Sequence, residues 1–196
     1  MTLMDGDDEG VLAARLRAGD SRAFDEAYDR YRPRVFSFLL RLSRSRTLAE
    51  DLLDETWLRL VAHARDLRPG TRLGPWLFTV ARNLYWTYRR NSLVADACSP
   101  ELTLWLSPPA WPSPFELAAA SELERRVERA LATLSPQYRE ALLLVAGEGL
   151  TPSDAAAICR IAPEAFRQRL SRARAALAEK LEQTGASLAR QRGYGT

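Results

Sequence analysis

The sequence has few of the residues that build disulfide, metal or catalytic sites. Its 196 residues include two cysteines and one histidine. Cys98 and Cys159 lie far apart along the chain, so neither a disulfide framework nor a metal-ligand spacing can be drawn from them. We therefore expect no metal ion and no cofactor, and a reducing cytoplasm is the simplest compartment for such a chain.

Long apolar runs and catalytic motifs are also missing. No stretch approaches the roughly 20 apolar residues that span a bilayer, and the acidic N-terminus excludes an ordinary signal peptide. The chain has no nucleophile elbow and no phosphate-cradling glycine loop, and His63 is best explained as structural. The sequence thus predicts a cytoplasmic protein that does not insert in a membrane and is not an enzyme.

What the chain does have is a helical pattern with segregated charge. A hydrophobic content of 46% and a net charge of +3 are typical of a globular protein, and the length fits one domain or two small ones. Acids gather at the start and arginines later, so local charge matters more than the total.

The first ninety residues predict four helices with apolar residues at spacings of three and four. They cover residues 7–18, a segment capped by Asp20 or Ser21, a segment opened by a Thr47–Glu50 capping box, and residues 74–90. The inward residues should be Val11, Leu12, Leu16, Phe24, Tyr28, Tyr31, Val35, Phe38, Leu39, Leu42, Leu48, Leu52, Leu53, Thr56, Leu60, Ala64, Leu77, Phe78, Ala81, Leu84, Tyr85 and Tyr88.

The last eighty residues repeat one helix-start signal. A hydroxyl residue precedes a proline at 113–114, 135–136 and 151–152, and each pair is typical of a helix N-terminus. A fourth helix should begin at Pro163, after a turn at residues 160–162. A short helix, a tight turn and a longer amphipathic helix predict a helix-turn-helix.

These patterns predict an all-α fold with two small helical domains joined by a Pro-rich linker, the second being a helix-turn-helix domain. The linker at 92–113 carries Leu102, Trp105 and Trp111, which make it too apolar for a free tether. It should pack either on the protein's own domains, which we slightly favour, or on a partner.

Three polar surfaces are candidates for function. The helix at 74–90 has a basic face with a ring in its centre, formed by Thr79, Arg82, Asn83, Trp86, Arg89 and Arg90. Guanidinium groups hold phosphates and an exposed ring offers a base something to stack on. The alternative is a solvated face with Trp86 packed by a neighbouring helix.

The predicted last helix has a second basic surface. Its outward face carries Glu164, Arg167, Gln168, Ser171 and Arg172, with Arg174 on the flank. Arg and Gln donors match base edges in a major groove, although a helical hairpin with a basic solvent face would look the same. The third surface is acidic, with Asp51, Asp54 and Glu55, and three acids on a helix are more often a solvated face.

In order and spacing, these segments resemble an extracytoplasmic-function sigma factor, the two-domain minimal form of the sigma-70 family. AEDLLDETWLRL at 49–60 resembles the polymerase-binding segment, and WLFTVARNL at 76–84 resembles the promoter-melting helix. TLSPQYREALLL at 133–144 and RLSRARAAL at 169–177 resemble the second domain. The resemblance implies region 2 at 8–91, a linker at 92–113, region 4 at 114–182 and a tail without fixed structure at 183–196.

The resemblance implies a bacterial alternative sigma factor that binds core RNA polymerase and directs promoter recognition and opening. Asp51, Asp54 and Glu55 would then bind the polymerase, and an anti-sigma factor is a further expected partner. The implied minus-ten contacts are Arg68, Thr71, Arg72, Arg82, Asn83, Trp86, Arg89 and Arg90. The implied minus-thirty-five contacts are Arg160, Glu164, Arg167, Gln168, Ser171, Arg172 and Arg174.

The chain departs from the family pattern at four places. Asp54 stands where a Gln is usual, and residues 69–72 replace a Gly-Glu-Ser-Ser-like run, so the identity of the flipped base does not follow from the resemblance. Arg160 stands where a Gly is usual and Ala162 where a Ser would cap the helix. The competing hypothesis is a stand-alone helix-turn-helix regulator, which would bind duplex DNA without polymerase.

Overall fold

A computed structural model describes the backbone of residues 5–98 and 121–192, and the side chains of residues 8–93 and 121–183. Every regular element in those ranges is helical. The described helices divide into two compact units, one between residues 5 and 98 together with residues 158–160, the other formed by the remaining helices after residue 121. The predicted all-α fold with two helical domains is confirmed.

The first unit contains four helices and one short 3-10 turn. They are α1 (Asp5–Arg17), α2 (Ser21–Ser43), α3 (Arg46–His63), the turn Ala64–Asp66 and α4 (Leu73–Cys98). Its centre is aromatic, with the rings of Phe38 and Phe78 fully buried and edge to face at 5.4 Å. Such a pair stabilises a core beyond the apolar area that it buries.

Most of the predicted inward residues of this unit are buried or half-buried, with two exceptions. Val11 is 57% exposed and Tyr88 is 40% exposed, so both predictions are wrong. In the other direction, the core includes Trp57, which is 6% exposed and packs against Phe24 and Tyr28. The helical spacing of apolar residues identified the core face of each helix. It did not show how much of each face the neighbouring helices cover.

The helix ends in the first unit follow local capping chemistry. The Asp20 carboxylate accepts from the Arg22 N–H at 2.9 Å, which confirms one of its two predicted caps. The predicted Thr47–Glu50 capping box is wrong, because Ser45 is the N-cap of α3 and accepts from the Leu48 N–H. The extended backbone at Ser45 places its hydroxyl over the orphan N–H groups, whereas Thr47 is already helical.

Helix α4 is longer than the sequence pattern predicts. It begins at Leu73, two residues before Pro75, and continues to Cys98, so residues 92–98 of the predicted linker are helical. The rest of that linker, with Leu102, Trp105, Trp111 and the helix start at 113–114, lies outside the described residues.

The second unit contains α5 (Glu122–Thr133), α6 (Pro136–Leu142), a π-helical turn (Leu143–Gly147), most of α7 (Pro152–Cys159) and α8 (Pro163–Arg192). The starts at Pro136, Pro152 and Pro163 are confirmed. Helix α5 opens with a Ser121–Glu124 capping box that the sequence analysis missed. Helix α8 continues to Arg192, so ten residues of the predicted unstructured tail are helical instead.

Two buried charges hold the helices of this unit together. Arg139 on α6 donates to the carbonyls of Leu131, Ala132 and Leu134 at 2.9 Å each, which satisfies the orphan carbonyls at the end of α5. The neighbouring Glu140 is fully buried, and its carboxylate lies 3.9 Å from a guanidinium nitrogen of Arg169 on α8. Helix α6 is thereby fixed to both α5 and α8.

Candidate polymerase and nucleic-acid interfaces

The loop between α3 and α4 contains a tight turn at residues 68–71. The N–H and hydroxyl of Thr71 both donate to the carbonyl of Arg68, at 3.1 and 2.7 Å. Pro69 and Gly70 occupy the corners, and Gly70 has a φ of +74°. This is the residue order and conformation of a type II turn. The turn leaves the Arg68 side chain exposed and that of Thr71 partly exposed.

A buried polar cluster lies at the base of this loop. Glu9 on α1 is 7% exposed, and its Oε1 accepts a 2.7 Å hydrogen bond from the Tyr31 hydroxyl. Its Oε2 has no hydrogen-bond partner among the described residues and lies 3.8 Å from Nε of Arg72. Burial, followed by the hydrogen bond to Glu9, raises the pKa of the Tyr31 phenol, so that hydroxyl remains a donor at neutral pH.

The basic face of α4 brings three of the predicted residues into contact. A guanidinium nitrogen of Arg82 donates to the Asn83 side-chain oxygen at 3.3 Å, and the Arg82 guanidinium lies 5.9 Å from the Trp86 ring centre. Trp86 also meets Tyr85 edge to face at 5.4 Å. Its ring is therefore half-buried rather than fully exposed. The arginine can bind a phosphate of the DNA backbone, and the ring beside it can stack on a base.

Of the three remaining predicted residues of this face, Thr79 is half-buried and donates its hydroxyl to the Pro75 carbonyl at 2.7 Å. The other two lie one turn beyond Trp86 on α4. Arg89 is half-buried and its guanidinium lies 3.4 Å from the Tyr85 hydroxyl. Arg90 is exposed. Both place positive charge on the helix beyond Trp86.

Two exposed apolar residues, which were not predicted as site residues, lie beside the acidic patch on α3. Asp51 and Asp54 are exposed, while Glu55 is half-buried and pairs with Arg59 at 2.7 Å. Leu58 and Val61 follow at helical spacing and are 63% and 61% exposed. The signal was present in the sequence, because both lie outside the helical stripe of inward residues. Acids beside exposed apolar side chains make a surface suited to a protein partner.

The turn between α7 and α8 has the form of a helix-turn-helix. Arg160 has a φ of +54°, and the Ile161 N–H donates to the carbonyl of Ala156 at 3.1 Å, as in a Schellman motif. The left-handed conformation expected where a Gly is usual is therefore adopted by an arginine. At the other end of α7, the Thr151 hydroxyl accepts from the Asp154 N–H at 3.1 Å and donates to its carboxylate.

The recognition face of α8 is separated cleanly from its buried stripe. Phe166, Leu170 and Ala173 are buried at 0%, 4% and 0% exposure. The outward residues are all exposed, and Arg167 pairs with Glu164 one turn before it. These exposed residues are Arg160, Glu164, Arg167, Gln168, Ser171, Arg172 and Arg174. The face offers donors to base edges and to phosphates without a need to unpack the core.

Within the described residues, no group of three metal-ligating side chains occurs and no helix is long and apolar enough to cross a membrane. The site chemistry visible in this part of the chain consists of charge, hydrogen-bond donors and rings.

The fold and its surfaces define a two-domain, helix-turn-helix DNA-binding protein. Family models match both units, Sigma-70 region 2 over residues 27–92 and Sigma-70, region 4 over residues 124–177. RNA polymerase sigma factor CarQ of Myxococcus xanthus is 36% identical over 177 residues, 90% of this chain and 99% of that protein. ECF RNA polymerase sigma factor SigM of Bacillus subtilis (strain 168) is 35% identical over 76% of this chain and 90% of its own length.

A solved structure agrees with these similarities. The sigma factor RpoE in complex with the anti-sigma factor NepR from Bartonella quintana matches with a TM-score of 0.70 at 29% identity, over 81% of this chain and 96% of that one. The chain belongs to the sigma-70 family, in its extracytoplasmic-function group. It is an alternative sigma factor, a DNA-binding regulator that directs RNA polymerase in transcription initiation, and the stand-alone regulator is not favoured.

Proposed function

We propose that the three surfaces divide the work of initiation among them. Asp51, Asp54 and Glu55, with the exposed Leu58 and Val61, bind core RNA polymerase. The loop at 68–72 and the basic face of α4 capture the opened minus-ten strand. The outward face of α8, with Arg160, binds the minus-thirty-five duplex. The observation that carries this division is the contrast between a half-buried ring beside Arg82 on α4 and an exposed polar face on α8.

The energies of these contacts suit promoter opening. Unstacking a base step requires about a few kcal/mol, and stacking on an aromatic side chain returns about 1 to 3 kcal/mol per base. Trp86 and the loop are thus of the right size to offset one or two unstacked bases. The chain itself catalyses nothing, because the polymerase supplies the chemistry, and it acts in the cytoplasm where that polymerase works.

Run-off transcription with core polymerase tests the division of roles. Asp51→Asn with Asp54→Asn should weaken core binding, Arg82→Ala should slow opening, and Arg172→Ala should weaken minus-thirty-five binding. Each step has its own measurement: co-purification with core, permanganate footprinting and gel shift on duplex DNA. If all three variants lost the same step in equal measure, the division would be wrong.

An anti-sigma partner is part of the proposal. The relative with the TM-score of 0.70 was solved in complex with an anti-sigma factor, and the exposed surfaces on α3 and α8 offer such a partner both apolar and basic contacts. When the chain is purified from unstressed cells of its own organism, a protein other than polymerase should be recovered with it in stoichiometric amount. Recovery of the chain alone, or with polymerase only, would remove this part of the proposal.

A further inference from the structure

The buried cluster under the minus-ten loop joins three parts of the first unit. Glu9 lies on α1 and Tyr31 on α2, and Arg72 is the last residue of the loop before α4. The Arg72 carbonyl accepts a hydrogen bond from the Trp76 N–H at 3.2 Å, so Arg72 is bonded to the first turn of α4. A change at Glu9 therefore acts on the point where the loop passes into the helix that carries Trp86.

Space around the cluster is closed on the side of α4. A Cβ placed on Gly74 would lie 2.8 Å from Oε1 of Glu9 and 3.2 Å from the Tyr31 ring. The Glu9 carboxylate thus rests directly on the first turn of α4, where a negative charge is favoured by the helix dipole. Glycine at this position permits the approach, so the carboxylate contacts both the start of the helix and the loop.

The cluster is not explained by core stability alone. A carboxylate that is mostly removed from water and has one oxygen without a hydrogen bond is unfavourable unless a nearby cation compensates for it. Arg72 supplies such a cation, and its side chain is 47% exposed and reaches the loop surface. Glu9 therefore connects the buried base of the loop to a side chain on its outer surface.

We infer that Glu9 is a positioning residue that fixes the conformation of the loop at 68–72 and thereby sets its selectivity for the captured minus-ten base. The inference rests on the proposed role of this loop in capturing that base. Glu9 itself does not contact DNA. It acts through Arg72 and through the first turn of α4.

The test uses shape-preserving variants of the full chain. Glu9→Gln removes the charge at constant size, and Tyr31→Phe removes the hydrogen bond to Oε1. Asp8→Asn is the matched control, because it removes the same charge one residue away on α1, where Asp8 pairs with Arg30 at 2.6 Å. Each variant is assayed as holoenzyme on a promoter library randomised in the minus-ten element, and the ratio of output between bases is measured at each position.

We expect Glu9→Gln to reduce discrimination at one minus-ten position by roughly three- to fivefold, the size of a partly exposed ion pair. Preferences in the minus-thirty-five element should stay unchanged, and Asp8→Asn should match the unaltered chain. Tyr31→Phe should shift the same position in the same direction. A uniform loss of transcription on all promoters would show that Glu9 only stabilises the fold, and would overturn the inference.

Two further measurements separate failure of the inference from failure of the loop assignment. Arg68→Ala and Thr71→Ala alter the loop directly, so unchanged base ratios in both would overturn the loop assignment and the inference with it. Altered ratios in these variants with unaltered ratios in Glu9→Gln would overturn the inference alone. Hydrogen exchange at the Thr71 amide should quicken several-fold in Glu9→Gln and not in Asp8→Asn, and equal exchange in both would also overturn it.

Discussion

The basic faces of α4 and α8 differ in how far their side chains are exposed and in how much they contact their neighbours. On α8 the candidate residues are exposed, and the apolar stripe beneath them is complete without their help. On α4 the central residues Arg82, Asn83 and Trp86 are half-buried, and Arg82 contacts both of the others. A DNA duplex has grooves of fixed shape, and exposed side chains can adjust to them. An unstacked base has no fixed surroundings, so it binds best to side chains that already hold their binding conformation. Preorganisation on α4 reduces the side-chain entropy lost on binding.

The largest effect is expected beneath the recognition face. Phe166→Ala removes a fully buried ring from α8, and the transfer and cavity terms together should destabilise the second unit by about 3 to 5 kcal/mol. Thermal unfolding followed by circular dichroism measures this loss. The neighbouring Arg167→Ala should leave stability within about 0.5 kcal/mol, since its side chain is exposed. Similar losses in both variants would mean that the face and the core of α8 are not separable.

The next effect is on duplex binding. Arg167→Ala and Gln168→Ala should each weaken minus-thirty-five affinity by about 1 to 3 kcal/mol if they bind base edges, as measured by gel shift of the holoenzyme at fixed salt. Gln183→Ala is the control, because it removes the same amide from an exposed position further along the helix. If Gln183→Ala weakened binding as much as Gln168→Ala, the assigned recognition face would be wrong.

Opening should depend on the ring of α4. Trp86→Ala should slow open-complex formation by an amount equivalent to about 1 to 3 kcal/mol, while closed-complex binding changes less. Tyr88→Ala is a control on the opposite side of the helix, because it removes a ring from a residue that is 40% exposed. Equal losses for Trp86→Ala in permanganate footprinting and in gel shift would indicate that the ring serves only packing.

The smallest effect separates stability from binding at the turn before α8. Arg160→Gly should stabilise the chain by about 0.5 to 1 kcal/mol, because glycine adopts the positive φ without a Cβ clash. Arg160→Ala keeps the strain and should bring no gain. Both variants lose the guanidinium, so both should bind the minus-thirty-five element less tightly. Tighter binding by Arg160→Gly would show that the arginine side chain is not a DNA contact.

Much of the fold could be predicted from the positions of prolines and from the helical spacing of apolar residues. The starts at Pro136, Pro152 and Pro163 were predictable because proline fixes φ and lacks the N–H that a helix start leaves unpaired. The start of α3 was not, since Ser45 and Thr47 both offer a hydroxyl. The left-handed backbone at Arg44 and the extended backbone at Ser45 decide between them, and neither is visible in the sequence.

The candidate sites show the same limit. The recognition face of α8 could be predicted from its helical period, because Glu164, Arg167, Gln168, Ser171 and Arg172 lie opposite a buried stripe. Glu9 could not be found in this way. It belongs to a run of acids that includes Asp5, Asp7 and Asp8, and only the packing of α1 against Tyr31 and Gly74 distinguishes it from its neighbours.

The two exposed apolar side chains on α3 also affect how copies of the free chain meet. Leu58 and Val61 would favour contact between copies, while Asp51 and Asp54 beside them keep two such surfaces apart by like charge. Salt screens that repulsion, with a Debye length near 10 Å at about 0.1 M ionic strength, but does not weaken the apolar attraction. The chain without polymerase should therefore self-associate more as salt rises, the opposite of its behaviour towards DNA.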